Sequence, residues 1–195
     1  MLIFKMKKMK KLYIKISMII ISLTAFTACS DDFVNVDSND VTSEDFFNSE
    51  EDYQNALIGA YDLLQSTWIN AMLGEIASDN TLAGGESATD VIGIQEIDDM
   101  IHTPVNNDLR GIWGLMFAGI NRTNFILEFQ DKIDFSGKNQ IIAQARFLRA
   151  YYYFELVKWF GDVPLAIDKQ ILFGEESSYE RSPASEVYSL IEQDL

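Results

Sequence analysis

The sequence predicts an all-α fold of helical pairs, and three stretches predict it. Tyr53, Ala56, Leu57, Ala60, Tyr61 and Leu64 recur at helical spacing. Ile112, Leu115, Met116, Gly119, Ile120, Thr123, Ile126 and Leu127 do the same over a longer span. Residues 147–165 carry so many aromatic side chains that a helix there is apolar almost all round. Phe147, Leu148, Tyr151, Tyr152, Phe154, Leu156 and Trp159 cover most of its wheel. Arg146, Arg149 and Tyr153 leave a narrow polar stripe, with Glu155 and Lys158 opposite. Such a helix needs neighbours on more than one side. A composition of 48% hydrophobic and 12% aromatic residues fits a globular chain.

The chain opens with Lys5, Lys7, Lys8, Lys10, Lys11 and Lys15 and no acid before residue 28. Residues 16–28 are apolar but too short to span a bilayer, which takes about 20 residues. Residues 1–28 therefore read as a secretory signal, with a basic start and an apolar middle. Met1, Met6 and Met9 all serve as possible starts. Phe26-Thr27-Ala28-Cys29 resembles a bacterial lipobox, which predicts cleavage before Cys29 and lipidation of its thiol. Residues 29–42 are rich in Asp, Asn and Ser and read as a flexible acidic tether.

The folded part is expected over residues 43–195. Ser49 followed by Asp52 predicts a capping box, opening a helix over 50–67. Gly59 weakens that helix and is expected to mark a close crossing. Residues 68–76 form a further apolar segment. Residues 78–107 read mostly as loop, with a short helix over 92–100. A helix over 109–130 follows, in which Asn124 is expected to hydrogen bond between helices. The central helix starts near Asn139, is capped by Gly161 in a left-handed conformation, and cannot resume past Pro164. Residues 165–173 can be extended and 174–178 form a polar loop. Ser182-Pro183 predicts an N-cap with proline at the first helical position. The last helix is unfinished at Leu195, so the chain is expected to be the N-terminal piece of a longer protein.

Charge and composition exclude several functions. The chain carries 30 acidic against 15 basic residues. Without the six leading lysines, nine basic residues face those thirty acids. Such a surface repels nucleic acid and anionic lipid headgroups. One cysteine and one histidine leave no disulfide framework, no zinc cluster and no cofactor motif. His102, alone in a loop, reads as ordinary. Asp98-Asp99 and Glu50-Glu51 are neighbouring carboxylates that point apart along a chain, whereas paired carboxylates for glycoside hydrolysis must face one another. With no nucleophile–base set, the chain is not expected to be an enzyme.

Four blocks resemble the SusD/RagB family of Bacteroidetes outer-membrane nutrient-binding lipoproteins. The first is Arg149-Ala150, Tyr153-Phe154, Leu156 and Phe160-Gly161-Asp162-Val163-Pro164-Leu165. The second is Ala56-Leu57 with Gly59-Ala60-Tyr61. The third is Trp113, Phe117, Ile120, Asn121 and Asn124, with Phe117 where the family pattern has Tyr. The fourth is Arg181, Glu186-Val187-Tyr188, Ile191 and Asp194-Leu195. The resemblance implies tetratricopeptide-like helical pairs and a lipid-anchored protein on the outer face of the outer membrane. Asp31 and Asp32, just after Cys29, resemble the export signal of such lipoproteins. It further implies that oligosaccharides are bound and passed to a SusC-like TonB-dependent transporter. The other reading is a helical scaffold that binds only protein.

Candidate ligand residues lie on or beside the long loop. Carbohydrate recognition pairs aromatic platforms with polar arms, and Trp68 and Trp113 flank a loop that has no aromatic of its own. The candidates are Trp68, Asp79, Asn80, Asn106 and Arg110, with Asn107 beside them. Each polar one competes with an ordinary reading as a turn or cap residue.

Overall fold

The computed structural model describes residues 43–87 and 89–195, together with Lys15. Cys29, the tether at 29–42 and the rest of the signal region lie outside the described residues. Ser43–Leu195 forms one compact unit. Its helices are α1 (Ser43–Phe46), α2 (Glu50–Asp62), α3 (Trp68–Ile76), α4 (Ile92–Asp98), α5 (Asn107–Glu128), α6 (Lys138–Phe160) and α7 (Ala184–Asp194).

Local chemistry sets most of the helix ends. Ser49 caps α2 in extended conformation, and the capping box with Asp52 forms in both directions. The Asp52 carboxylate accepts from the Asn48 and Ser49 backbones at 3.0 and 2.8 Å. These bonds, led by that from the Ser49 hydroxyl, hold its pKa below the ordinary carboxylate value. α2 stops short of the expected Thr67, because residues Leu63–Ser66 tighten into a 3₁₀ turn. There the Thr67 backbone N–H donates to the Leu64 carbonyl at 3.2 Å, an i−3 bond that replaces continued α winding, and the Thr67 hydroxyl adds a second bond to that carbonyl at 2.8 Å. α4 ends at Asp98, and Met100 at φ 56° diverts the chain from the longer helix expected there.

The end of α6 is more unusual. Gly161 has a positive φ of 63°, as expected, but its ψ of −113° takes it out of the left-handed helical well. A side chain there would clash with its own backbone, so this bend depends on glycine. Val163–Pro164 (β1) then pairs antiparallel with Arg181–Ser182 (β2), Val163 opposite Ser182. The expected extended stretch at 165–173 contains no strand. Ser182 does not cap α7 either. Pro183 occupies the cap position, so the helix starts one residue later than expected, and the Asp162 carboxylate accepts from the Ala184 backbone N–H at 2.8 Å. The cap is supplied by a residue 22 positions away.

Packing centres on α5 and α6. Asn124 meets Arg149, Gly119 meets Tyr152 and Trp113 meets Phe160. One index falls as the other rises, so the pair is antiparallel. α2 lies antiparallel on α5 by the same criterion: the Tyr53 hydroxyl donates to the Phe129 carbonyl, and Arg122 donates to the Gly59 carbonyl. The Tyr152 hydroxyl donates to the Ala60 carbonyl at 2.6 Å, joining α6 to α2. Asn70 of α3 donates to the buried Glu155 of α6 at 2.7 Å, while Lys158 pairs with the other Glu155 oxygen at 2.7 Å. Phe47, fully buried, packs on Tyr53, Phe125 and Phe129 with ring centroids 4.5, 4.7 and 5.4 Å away.

One expectation about α2 is corrected, and the polar stripe of α6 proves mixed, with Arg146 exposed. Arg149 and Tyr153 are buried, while Phe147 and Phe154 are 54% and 42% exposed. Hydropathy fails here because the buried polar groups find partners inside. Gly59 does not mark a close crossing, since a Cβ there meets nothing within 4 Å. The close crossing is at Gly119, where a Cβ would fall 2.6 Å from the Tyr152 ring.

Polar side chains hold the segment that follows β1. The Tyr153 hydroxyl accepts from the Ala166 N–H at 2.8 Å and donates to the Ala166 carbonyl at 3.1 Å. Asn124 donates to the Ala166 and Lys169 carbonyls at 2.8 and 3.1 Å. Asn121 closes a two-way pair with the Ile171 backbone, each bond 2.9 Å. Asn124 was expected to join helices. It does so through Arg149, and it also joins a helix to irregular chain.

Two predictions follow from this packing. Gly119→Ala is expected to destabilise the fold by about 1–3 kcal/mol, the cost of overpacking. Gly59→Ala is expected to stabilise it by about 0.5–1 kcal/mol, the helix-propensity gain at an unobstructed site. Urea unfolding midpoints test both, and a Gly119→Ala variant as stable as its parent refutes the close crossing.

A further prediction concerns alkaline pH. Burial pushes the Tyr152 and Tyr153 hydroxyls up to about 12 from an ordinary value of 10.0. A raised folded pKa means that the stabilisation is complete below pH 10 and is lost as pH rises towards 12, since the unfolded chain ionises first. The urea midpoint is expected to fall between those values, and to fall less in Tyr153→Phe. An equal fall in that variant rules out Tyr153 as a source.

Candidate ligand-binding cleft

The sequence places two aromatic ends and one capped turn near each other. Trp113 lies nearly two turns into α5, and Trp159 and Phe160 form the last residues of α6. Because α5 and α6 are antiparallel, the start of one lies beside the end of the other. The Trp113 ring meets Phe160 edge-on at 5.1 Å and Phe117 at 4.8 Å. Aromatic pairs favour such edge and tilted arrangements.

Asn106 sets the third wall. Its side-chain oxygen accepts from the Asp108 and Leu109 N–H groups at 3.0 and 3.1 Å, capping α5. Its amide donates to the Gly93 carbonyl and to Glu96, each at 2.9 Å, which ties α4 to that cap. Gly93 permits the approach, because a Cβ there would collide with the Asp108 carboxylate. The connection between α4 and α5, carrying His102, Thr103 and Pro104, is thereby held over the start of α5.

The fourth wall is β2. Arg181 donates to the Asp162 carbonyl at 3.0 Å, and its guanidinium stands 5.8 Å from the Trp113 ring centroid. A cation at that distance is attracted to the ring face. Together these elements enclose a cleft of about 710 Å³, lined by Ala77, Ile97, Met100, His102, Thr103, Pro104, Leu109, Arg110, Trp113, Trp159, Phe160 and Arg181. Its chemistry is aromatic surface with cationic and hydroxyl groups at the rim, and its volume falls within the usual range for ligand pockets. A second concavity, of about 800 Å³, is lined mostly by polar residues from Gln130 to Gln144, with Arg146, Phe147 and the end of α7.

Of the five ligand candidates, the cleft contains only Arg110. Asn106 is buried, and its hydrogen bonds are given to the fold. Trp68 is exposed on the first turn of α3, outside the cleft lining. Asp79 and Asn80 are exposed in the turn after α3, where the Asn80 N–H donates to the Ser78 hydroxyl at 3.3 Å. Sequence reasoning missed Trp159 and Phe160, because it assigned the whole aromatic helix to the core. The available signal was their place directly before Gly161: a helix end is its least covered part. Arg181 stands in the fourth family block, but its place beside Trp113 is not legible there, since the β1–β2 pairing brings it to that ring. Among the described residues no group of three or more His, Cys, Asp or Glu is placed to hold a metal ion. No described helix is long and apolar enough to cross a membrane.

Comparison with known proteins gives concordant results. The SusD-like family model described as "Starch-binding associating with outer membrane" matches residues 32–195. A SusD-like protein of Formosa agariphila is 28% identical over 192 residues, covering 97% of this chain and 37% of the relative. A second from that organism is 30% identical over 190 residues, covering 93% of this chain and 36% of the relative. Among solved structures, a laminarin-binding SusD-like protein aligns with a TM-score of 0.67 at 30% identity, over 76% of this chain and 33% of that one. Surface glycan-binding protein A from Bacteroides uniformis aligns with a TM-score of 0.65 at 29% identity, over 75% and 33%. The chain thus spans a little over a third of the length of the curated relatives it matches.

The architecture of the third wall yields a prediction. Asn106→Ala is expected to cost about 1–2 kcal/mol, the range for loss of a helix cap. Asp79→Ala and Asn80→Ala are expected to stay within about 0.5 kcal/mol, as exposed turn substitutions do. Thermal melts of the three variants check this, and equal melting points would remove Asn106 from its structural role.

Proposed function

The chain belongs to the SusD-like family, and from that premise we propose that it is part of a cell-surface lipoprotein that binds oligosaccharides. The protein hands them to a SusC-like TonB-dependent transporter in the outer membrane. It makes and breaks no covalent bond. The observation that carries the reading is the aromatic cleft between α5, α6 and β2. One face of a sugar ring presents C–H groups and packs on an aromatic ring, while its hydroxyls need hydrogen-bond partners at the edge. Trp113, Trp159 and Phe160 supply the first, and Arg110, His102, Thr103 and Arg181 supply the second. Relatives with this fold include proteins named for binding laminarin and surface glycans.

Cys29 carries the anchor in this reading. Two or more acyl chains on a lipoprotein cysteine give stable attachment where a single chain is marginal. The acidic tether at residues 29–42 gives the folded part reach. Phe147 and Phe154, exposed on α6, support a protein contact of the same molecule. They also keep the scaffold reading in play.

Calorimetric titration of the complete protein against a panel of oligosaccharides tests the proposal. Trp113→Ala and Trp159→Ala are each expected to weaken binding by about 10- to 30-fold, the loss typical of an aromatic anchor. Labelling of cells with palmitate is expected to mark the protein and to fail in Cys29→Ser. A complete protein that binds no sugar, yet captures the transporter, favours the scaffold.

A further inference from the structure

Acidic residues outnumber basic ones two to one in this chain, 30 against 15. In such a protein a cation usually stands beside a carboxylate. Arg122, Lys138, Arg149, Lys158 and Lys169 all stand in ion pairs. Among the described residues, Arg110, Arg146 and Arg181 do not, and two of these three, Arg110 and Arg181, line the aromatic cleft. His102 lies on the same lining, which includes no Asp or Glu. Carboxylates are thus absent from the lining of the concavity that Trp113, Trp159 and Phe160 share.

The two guanidiniums are also held in place. Arg181 is fixed at one nitrogen by the Asp162 carbonyl and by the face of Trp113, leaving other N–H groups of its fork free of described partners. Arg110 is tied to the Asn107 side chain by one terminal nitrogen. The side chain of Asp162, whose backbone carbonyl Arg181 holds, accepts from the Ala184 N–H at 2.8 Å and forms no ion pair with Arg181. Nothing in the fold requires a cation at Arg110, which is exposed and touches a neutral amide.

We infer that this cleft takes an oligosaccharide bearing oxyanion groups on its rings, a uronate or a sulfate ester. The inference rests on the proposed glycan binding and names its ligand class. The sugar face stacks on Trp113 and Trp159, and its anionic substituent lies between Arg110 and Arg181. A planar guanidinium fork matches the two oxygens of a carboxylate or two of a sulfate, and charge-assisted hydrogen bonds of this kind are about twice as strong as neutral ones. The acidic remainder of the surface repels the same ligand elsewhere and confines it to the cleft.

The test is titration of the complete protein with a uronate hexasaccharide, a sulfated neutral hexasaccharide and the neutral parent. At least one charged sugar is expected to bind tenfold or more tighter than the neutral parent at low salt, about 0.05 M. The gap is expected to narrow at about 0.5 M, where charges are screened. Arg110→Gln and Arg181→Gln are each expected to weaken the charged sugar by about tenfold or more and the neutral one by less, so that the preference for the charged sugar shrinks. Comparison of the uronate with the sulfate tells which anion the fork prefers. If Arg181→Gln disturbs the fold through its Asp162 contact, Arg110→Gln decides alone. A neutral sugar that binds as tightly as both charged ones, or charged binding indifferent to Arg110→Gln, overturns the inference and leaves glycan binding standing. No binding of any sugar overturns both.

Discussion

Arg149 is the point at which four parts of the chain meet. From the middle of α6 it donates to both carboxylate oxygens of Asp194 on α7, at 2.7 and 2.8 Å. Its remaining terminal nitrogen donates to Asn124 of α5 at 3.0 Å and to the Ile167 carbonyl at 2.7 Å. Both members of the ion pair are nearly inaccessible, with side-chain exposures of 6% and 3%. Burying two charges costs several kcal/mol per ion, and only complete pairing offsets it. Loss of one partner therefore costs more than the pair is worth, about 3–5 kcal/mol in comparable cases. The pair serves less as a source of stability than as a requirement of geometry: α7 must lie where Asp194 reaches Arg149, or a bare charge stays inside.

The cleft depends on that geometry at one remove. Because Arg149, Asn124, Tyr153 and Asn121 grip the backbone between residues 166 and 171, the chain leaving α6 cannot swing away. It returns along α5 with its amides and carbonyls satisfied by side chains in place of a strand ladder. The return strand β2 then pairs with β1, and this brings Arg181 over Trp113. Gly161 supplies the bend, Asp162 caps the next helix, and the rigid α5–α6 pair holds the aromatic wall. A site built between three such elements is held more precisely than one carried on a free loop.

The ionisable groups that line the cleft are two guanidiniums and one imidazole. Such groups orient and hold a ligand. The acidic surface around them sets a contrast of sign that a neutral binding site would not need.

Much of the fold was legible in local chemistry. The Ser49–Asp52 box, the helical spacing of α2 and α5, and the glycine stop after α6 each depend on residues within a few positions of one another. The position of Arg110 beside Trp113 follows from one turn of one helix. Other features were misread for a common reason. The burial of Arg149, Tyr153 and Glu155 is invisible to hydropathy, which does not see a polar group's partner, and the partners lie 13 to 85 residues away. Gly59 and Gly119 look alike in sequence, and only the crossing of Tyr152 tells them apart. By itself, then, the sequence determined the class of fold, the family and most helix starts, since these rest on short-range spacing and capping. The tertiary structure alone decided which polar groups are buried, which glycine is indispensable and which residues form the cleft, since each rests on a contact between distant segments that no local pattern encodes.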